Sequence, residues 1–387
     1  MKNTGIICEY NPLHLGHRKQ LDLIRQDDPN GSIVCLMSGN YVQRGKPAIL
    51  DKSLRAEAAL SCGADLVLEL PLTASLSSAE GFASEGVRIL SGFCDRLCFG
   101  AETPNADALI KTAQALLSSE FPALLSEQLA KGSSFPAARQ AALIRMGLTE
   151  DTLSNPNDIL ATEYCKAILM QHTALEPMPI LRQGNYHDRE ADADNPSATA
   201  VRERMLHGSS WADFLPAQAV RCLENANLHD LRYGERAVLA RLRTMTEAEF
   251  EALPFGSEGL WRKLMHNSRR FASLEEILTA TKSKRYTRTR LDRMVMCAFL
   301  GISREMLEQP APYTRVLALN ERGRAVLKQA RKSGIFLNAG EIPDAPYWEL
   351  EKRAGDLYGL FAEYAPELPG AEQQRRIRFR SDETGSN

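Results

Sequence analysis

Along the first hundred residues, short apolar runs at Thr4–Cys8, Ile33–Met37, Asp65–Leu70 and Arg96–Phe99 alternate with stretches of helical spacing at His17–Arg25, Lys52–Cys62 and Ser78–Leu90. Runs that are apolar at nearly every position suit strands covered on both faces. Apolar positions recurring every three or four residues suit helices with one buried stripe. The alternation predicts an α/β fold, a doubly wound parallel sheet of Rossmann-like type with right-handed crossovers. Helical spacing continues at Ala106–Ser118, Phe121–Ala130, Pro136–Met146 and Pro156–Gln171, and Pro177–Leu181 reads as a fifth strand.

From about Ser209 the pattern changes. Strand-like runs nearly vanish, apart from Arg315–Leu319, and helical segments with basic faces take over. The chain therefore divides into a sheet-forming domain over 1–207 and a mainly helical region over 208–375. Residues 376–387 are polar and aperiodic, and read as a flexible tail.

Composition narrows the class without naming a chemistry. With 44% hydrophobic and 25% charged residues the chain is ordinary globular protein. No apolar run is long enough to span a bilayer, and the first apolar run breaks at Glu9-Tyr10-Asn11 before it could serve as a signal peptide. The eight cysteines include no CxxC, which excludes the usual zinc spacing and fits reduced thiols in the cytoplasm. A net charge of −2 draws no polyanion to the chain as a whole. Residues 262–332, however, carry 17 Lys and Arg against 6 Asp and Glu, a balance that suits RNA backbone contact. Within that window Lys282, Lys284, Arg285, Arg288 and Arg290 surround Tyr286, a ring able to stack on an unpaired base. A solvated face paired with acids elsewhere is the alternative.

The sharpest local feature follows the first strand. Tyr10-Asn11-Pro12-Leu13-His14-Leu15-Gly16-His17 turns from the strand's carboxyl end into a helix, the usual ligand position in an open parallel sheet. A helix N-terminus offers unpaired N–H groups to a phosphate, Gly16 lets the backbone approach, and His14 and His17 supply directional donors. A second string, Pro196-Ser197-Ala198-Thr199-Ala200-Val201-Arg202, brings hydroxyls and a guanidinium to a helix start. Three other residues fall at positions that suit a ligand. Gly100 ends the fourth strand. Asn157 opens a helix, as a cap or as a nucleotide contact. Arg182 follows the fifth strand, as a ligand or as a surface residue. Gln43-Arg44-Gly45-Lys46-Pro47 reads as a mobile loop over the site or as a solvated turn.

His14-Leu15-Gly16-His17 and Ser197-Ala198-Thr199-Ala200-Val201-Arg202 resemble the paired HxGH and SxTxxR signatures of the nucleotidyltransferase superfamily. Met37–Gly45, Gly63–Pro71, Phe99–Glu102, Asn157–Leu160, Tyr186-His187-Asp188 and Lys284–Arg290 resemble one branch, the tRNA-Met cytidine acetate ligase family, as far as about residue 340. Lys46 and Ala161 depart from that family's commonest strings. The resemblance implies activation of acetate by ATP to acetyl-adenylate and acetylation of the wobble cytidine of elongator tRNA-Met. It implies nucleotide contacts at Ile7, Cys8, Glu9, Tyr10, Asn11, Pro12, Leu13, His14, Leu15, Gly16, His17, Arg18, Lys19 and Gln20. Further contacts are implied at Gly100, Asn157, Arg182, Ser197 and Thr199. His14, His17 and Arg202 would stabilise charge at the phosphates. Magnesium is expected on the phosphate oxygens, with no dedicated protein cage. The runner-up readings are a cofactor-type adenylyl- or cytidylyltransferase and a non-catalytic RNA-binding factor. The extra basic half disfavours the first, and the intact phosphate residues disfavour the second.

Overall fold

The computed structural model describes residues 1–133, 135–148, 153, 155–182, 196–224, 226–283, 286–330, 335–336, 342 and 346–381. Tyr186-His187-Asp188, Lys284 and Arg285 lie outside them. The strands are β1 (Thr4–Cys8), β2 (Ile33–Ser38), β3 (Tyr41–Val42), β4 (Lys46–Pro47), β5 (Leu66–Leu70), β6 (Arg96–Ala101) and β7 (Glu176–Leu181), then β8 (Thr314–Leu319), β9 (Ile335–Phe336) and β10 (Arg378–Phe379). The main sheet runs β10-β8-β5-β2-β1-β6-β7, with β9 also on β8, while β3 and β4 form a separate hairpin. From β5 to β7 every pairing is parallel, as the sequence pattern predicts.

Alternation along the central strands builds two cores. Ile33, Cys35 and Met37 of β2 join Ile6, Leu21, Ile24, Ala56 and Ala59 in one apolar cluster. Val34 and Leu36 join Phe82, Val87, Leu109, Tyr164 and Ile168 in another. Successive strand residues point to opposite faces, so a strand apolar at every position needs helices on both sides. The chain leaves β1 for β2 on one side, and the later crossovers to β6 and β7 lie on the other. The carboxyl ends of β1 and β6 therefore border a crevice at the reversal of strand order, where such sheets bind ligands.

The helical region forms a third core around Val238, Leu242, Phe250, Leu264, Ile277, Leu291, Val295 and Phe299. It is stitched to the sheet domain rather than strung after it. The Tyr41 hydroxyl donates to the Ala354 carbonyl at 3.0 Å and the Tyr358 hydroxyl to the Ala48 carbonyl at 2.8 Å. β8 returns from the helical region and pairs antiparallel with β5. Behind that junction Lys52 and Arg315 meet Glu69 and Glu372, all four nearly inaccessible to water, with Lys52 Nζ 2.9 Å from Glu372 and Arg315 Nη2 2.8 Å from Glu69. Opposite charges this deep persist because each has its partner. The expected flexible tail is corrected for its first part: Arg378 and Phe379 pair with Ala318 and Leu319, and the Arg380 amide donates to the Leu319 carbonyl at 3.1 Å.

Candidate active site

Strand β1 stops where the backbone must turn, and buried groups hold the turn. Arg55, 1% exposed, donates to the Glu9 carbonyl at 2.6 Å, the Leu50 carbonyl at 2.9 Å, the Ser38 carbonyl at 3.1 Å and the Gly39 carbonyl. One guanidinium thus ties together the exits of β1 and β2. Asn11 accepts the Ile49 amide on Oδ1 at 2.8 Å. Tyr10 sits at φ 43, left-handed backbone that a bulky residue adopts at a cost, held by a ring that is 1% exposed.

The helix Leu15–Asp27 then begins with a histidine cap. His14 Nδ1 accepts the Gly16 amide at 3.1 Å, and His17 Nδ1 accepts the His14 amide at 3.2 Å. Serine, threonine, aspartate or asparagine is the usual choice at this position. Aspartate would set a negative charge where an anion is to bind, whereas imidazole caps the helix without one. With both Nδ1 atoms accepting, the network assigns each ring proton to Nε2. The rings stack at 3.7 Å, and the Nε2 of His14 is buried without a protein partner. A buried donor left unmet is costly, and a phosphate oxygen would satisfy it. A Cβ on Gly16 would approach the His14 Cε1 to 3.0 Å, so glycine keeps that ring in place.

Electrostatics favour the neutral pair. Burial lowers His14 to about 3, helped by the positive Arg182 and Arg202. Burial also lowers His17 well below its usual value, helped by His14 and Arg182. Both groups are therefore uncharged in the folded protein at pH values where the unfolded chain, near 6.5, takes up protons. Folding stability is retained above about pH 6.5 and falls as pH drops toward 3, by about 1.4 kcal/mol per pH unit for each histidine. Urea titrations between pH 8 and pH 5 should show this slope in the wild type and a shallower one in His14→Gln. Equal slopes would contradict the neutral assignment.

The second signature closes on the first. Ser197 caps the helix Ala198–Leu206 by accepting the Ala200 amide at 3.1 Å. From that helix Arg202 donates to the Asn11 carbonyl at 2.7 Å and to the Thr199 hydroxyl at 3.0 Å. On the other wall Arg182 extends β7 by donating its amide to the Ala101 carbonyl at 2.9 Å, and its Nη1 donates to Asn157 Oδ1 at 2.8 Å. The expectation that Asn157 caps its helix is corrected. Asn155 holds that position in the helix Pro156–Met170, and the Asn157 side chain instead bridges Glu102 and Arg182.

These groups line one cavity of about 890 Å³. It gathers Ile7, Cys8, Glu9, Tyr10, Asn11, His14, Gly16, His17, Lys19, Gln20, Gly100, Asn157, Arg182, Ser197, Thr199 and Arg202. Pro12, Leu13, Leu15 and Arg18 do not line it. Pro12 and Leu13 are buried, Leu13 in the core of the sheet domain, and Arg18 reaches back along its helix to Asp22 at 2.8 Å. The stretch from Ile7 to Gln20 thus divides by helical and turn geometry into lining and supporting residues.

The basic run of the second half divides as well. Arg288 is clamped by Glu275 at 2.6 Å and by Asp292 at 3.0 Å. The Tyr286 hydroxyl donates to Glu258 at 2.7 Å while Arg290 covers one face of its ring at 4.9 Å. Arg290 donates to the Phe255 carbonyl at 2.8 Å. Lys282 is exposed, as are Arg262, Lys263, Arg269 and Arg270. Thr289 and Arg293, unremarked in the sequence, line the cavity from the helix Arg288–Leu300. Their spacing of four, which sets both on one helical face, was the available signal. Arg293 leans 3.4 Å from the Gln43 carbonyl, and a Cβ on Gly45 would come within 2.3 Å of the Arg293 amide. Tyr41–Val42 and Lys46–Pro47 thus form a hairpin docked on that helix, and Gln43, Arg44, Lys46 and Pro47 line the cavity, so the segment lies over the site and is not the solvated turn of the second expectation.

Among the described residues no group of three His, Cys, Asp or Glu side chains could hold a metal ion, and no helix is long and apolar enough to cross a membrane. The eight cysteines are unpaired thiols.

Comparison with known proteins identifies the family and the fold. The family model described as HIGH Nucleotidyl Transferase matches residues 1–373. The tRNA(Met) cytidine acetate ligase of Clostridium novyi (strain NT) is 38% identical, the match covering 93% of each chain. That of Geobacillus sp. (strain WCH70) is 32% identical over 94% of this chain and 96% of its own. The crystal structure of apo Thermotoga maritima TmcAL superposes with a TM-score of 0.91 at 29% identity, over 98% of this chain and all of that one. The same enzyme bound with alpha-thio ATP gives 0.88 at the same identity and coverage.

Proposed function

We propose that this chain, which belongs to the HIGH nucleotidyl transferase family and within it to the tRNA(Met) cytidine acetate ligases, activates acetate with ATP and acetylates the wobble cytidine of elongator tRNA-Met in the cytoplasm. The observation that carries the reading is the stacked, neutral pair of His14 and His17. Both Nε2 donors stand at the carboxyl end of β1, with Arg202 fastened beside them.

In the first step an acetate oxygen attacks the α-phosphorus of ATP. The new P–O bond forms as the bond to the bridging oxygen breaks, and pyrophosphate leaves with that electron pair. Acetate is already ionised at neutral pH, so this step needs no general base. It needs donors where charge accumulates, and His14, His17 and Arg202 are donors without being acids. Two neutral imidazoles place hydrogen bonds on the leaving oxygens without first repelling Arg182 and Arg202. In the second step the cytidine N4 attacks the acetyl carbonyl, its N–C bond replaces the acyl–oxygen bond, AMP departs with that electron pair, and N4 gives up one proton to solvent.

Among the described residues, Glu9, Glu203 and Asp230 are the acids lining the cavity. Magnesium arriving with ATP would supply charge neutralisation at the phosphates. The tRNA would meet the exposed Arg262, Lys263, Arg269, Arg270 and Lys282, with Lys284 and Arg285 in the same run. Thr289 and Arg293 link that region to the cavity, which supports a macromolecular acceptor over a small one.

Pyrophosphate exchange tests the first step. Labelled pyrophosphate should enter ATP only when acetate is present, and without tRNA. Exchange that needed tRNA, or none while acetylation proceeded, would overturn a separate adenylate step.

A further inference from the structure

Glu102 follows β6 and does not line the cavity, yet one of its carboxylate oxygens is spent on Asn157, which does, and the other on the next residue of the same helix. Oε1 accepts the Asn157 side-chain amide at 2.5 Å and Oε2 accepts the Asp158 backbone amide at 3.0 Å. Asp158, fully buried, returns the contact by accepting the Thr103 amide at 3.0 Å. The loop after β6 and the first turn of the helix Pro156–Met170 are thus latched in both directions.

The latch settles an orientation. An asparagine amide can present either its oxygen or its NH₂ group to a neighbour. With Nδ2 held by Glu102, only Oδ1 faces Arg182, and it accepts Nη1 at 2.8 Å. Flipped, the amide would set donor against donor and deprive the guanidinium of this acceptor. We infer that Glu102 is a positioning residue for the nucleotide, acting through Asn157 to aim Arg182 into the cavity without itself touching the ligand. The inference rests on the reading that Arg182 contacts ATP. Arg182 also helps keep His14 and His17 neutral, so the same latch reaches the phosphate end of the site.

A double-mutant cycle on the full chain decides the matter, with ATP affinity measured by calorimetry for Glu102→Gln, Arg182→Ala and the pair. Glutamine keeps the shape and loses one acceptor. It should weaken ATP binding about tenfold, the loss of one charge-assisted hydrogen bond. It should raise the KM for ATP while kcat at saturating ATP stays within about twofold. In the Arg182→Ala background the same change should do nothing further, because the residue it acts through is gone. Multiplying effects, or wild-type affinity in Glu102→Gln, would overturn the proposal. Wild-type affinity in Arg182→Ala would instead remove the reading beneath it. Should Glu102→Gln fail to fold, Glu102→Asp, which keeps the charge and shortens the reach, carries the same cycle.

Discussion

Replacing His17 with alanine is expected to lower ATP-dependent acetylation by about 10²–10³-fold with the fold intact, since removing one preorganised donor from developing charge costs that much. The residue holds two positions at once. Its Nδ1 accepts the His14 amide and completes the reciprocal cap, while the residue also lines the cavity. Loss of the cap alone costs about 1 kcal/mol of stability, too little to unfold a domain of this size. His17→Gln, which keeps an N–H donor, should recover part of the rate. Circular dichroism and kcat/KM measured on the same preparations separate the two contributions. Wild-type turnover in His17→Ala would remove the phosphate assignment.

Arg55→Met should be the most damaging change to the fold, at about 3–5 kcal/mol. The size follows from the environment of the guanidinium, which has four backbone carbonyls around it and is 1% exposed. Each carbonyl stripped of its donor in the interior costs about 1–3 kcal/mol, offset in part because a buried charge is no longer desolvated. Methionine fills much of the volume, so the loss should come from those carbonyls and not from a cavity. Because two of them close β1 and β2, ATP affinity should fall with stability. An unfolding free energy from urea titration lowered by less than about 1 kcal/mol would mean that water or a rearranged loop replaces the guanidinium.

The contrast between these two residues shows what sequence pattern can carry. His14 and His17 stood out because a strand, a turn and a helix start follow one another within a few residues, and the chemistry at that junction is local. The central strands were legible for a similar reason. Val34 and Leu36 on one face and Cys35 and Met37 on the other leave no polar position, which only a doubly covered strand requires. Arg55 was not legible. In Lys52–Ser61 a charged residue reads as the solvent face, and only the converging carbonyls of Glu9, Ser38 and Gly39 make that face the interior. The partner of β8 was hidden too, since one strand among helices does not say which sheet it joins. β10 was missed because its two residues, exposed and polar in context, are fixed only by pairing with β8. For Asn157 the sequence leaves a helix cap and a nucleotide contact open, because its neighbours suggest the first, whereas its side chain is held by Glu102, 55 residues away. For the basic run the sequence leaves an RNA-contacting face and a solvated face paired with acids open, and the structure divides it residue by residue. Its helix turns Arg288 toward acids and Arg293 toward the cavity.

Radiolabelled acetate incorporated into bulk tRNA, with and without ATP and followed by nucleoside analysis, tests the central claim most directly. Label that requires ATP and appears in acetylated cytidine is the predicted result. ATP consumed with another small acid or a phosphate ester, and no label in tRNA, would contradict it and assign the site to a small-molecule nucleotidyltransferase.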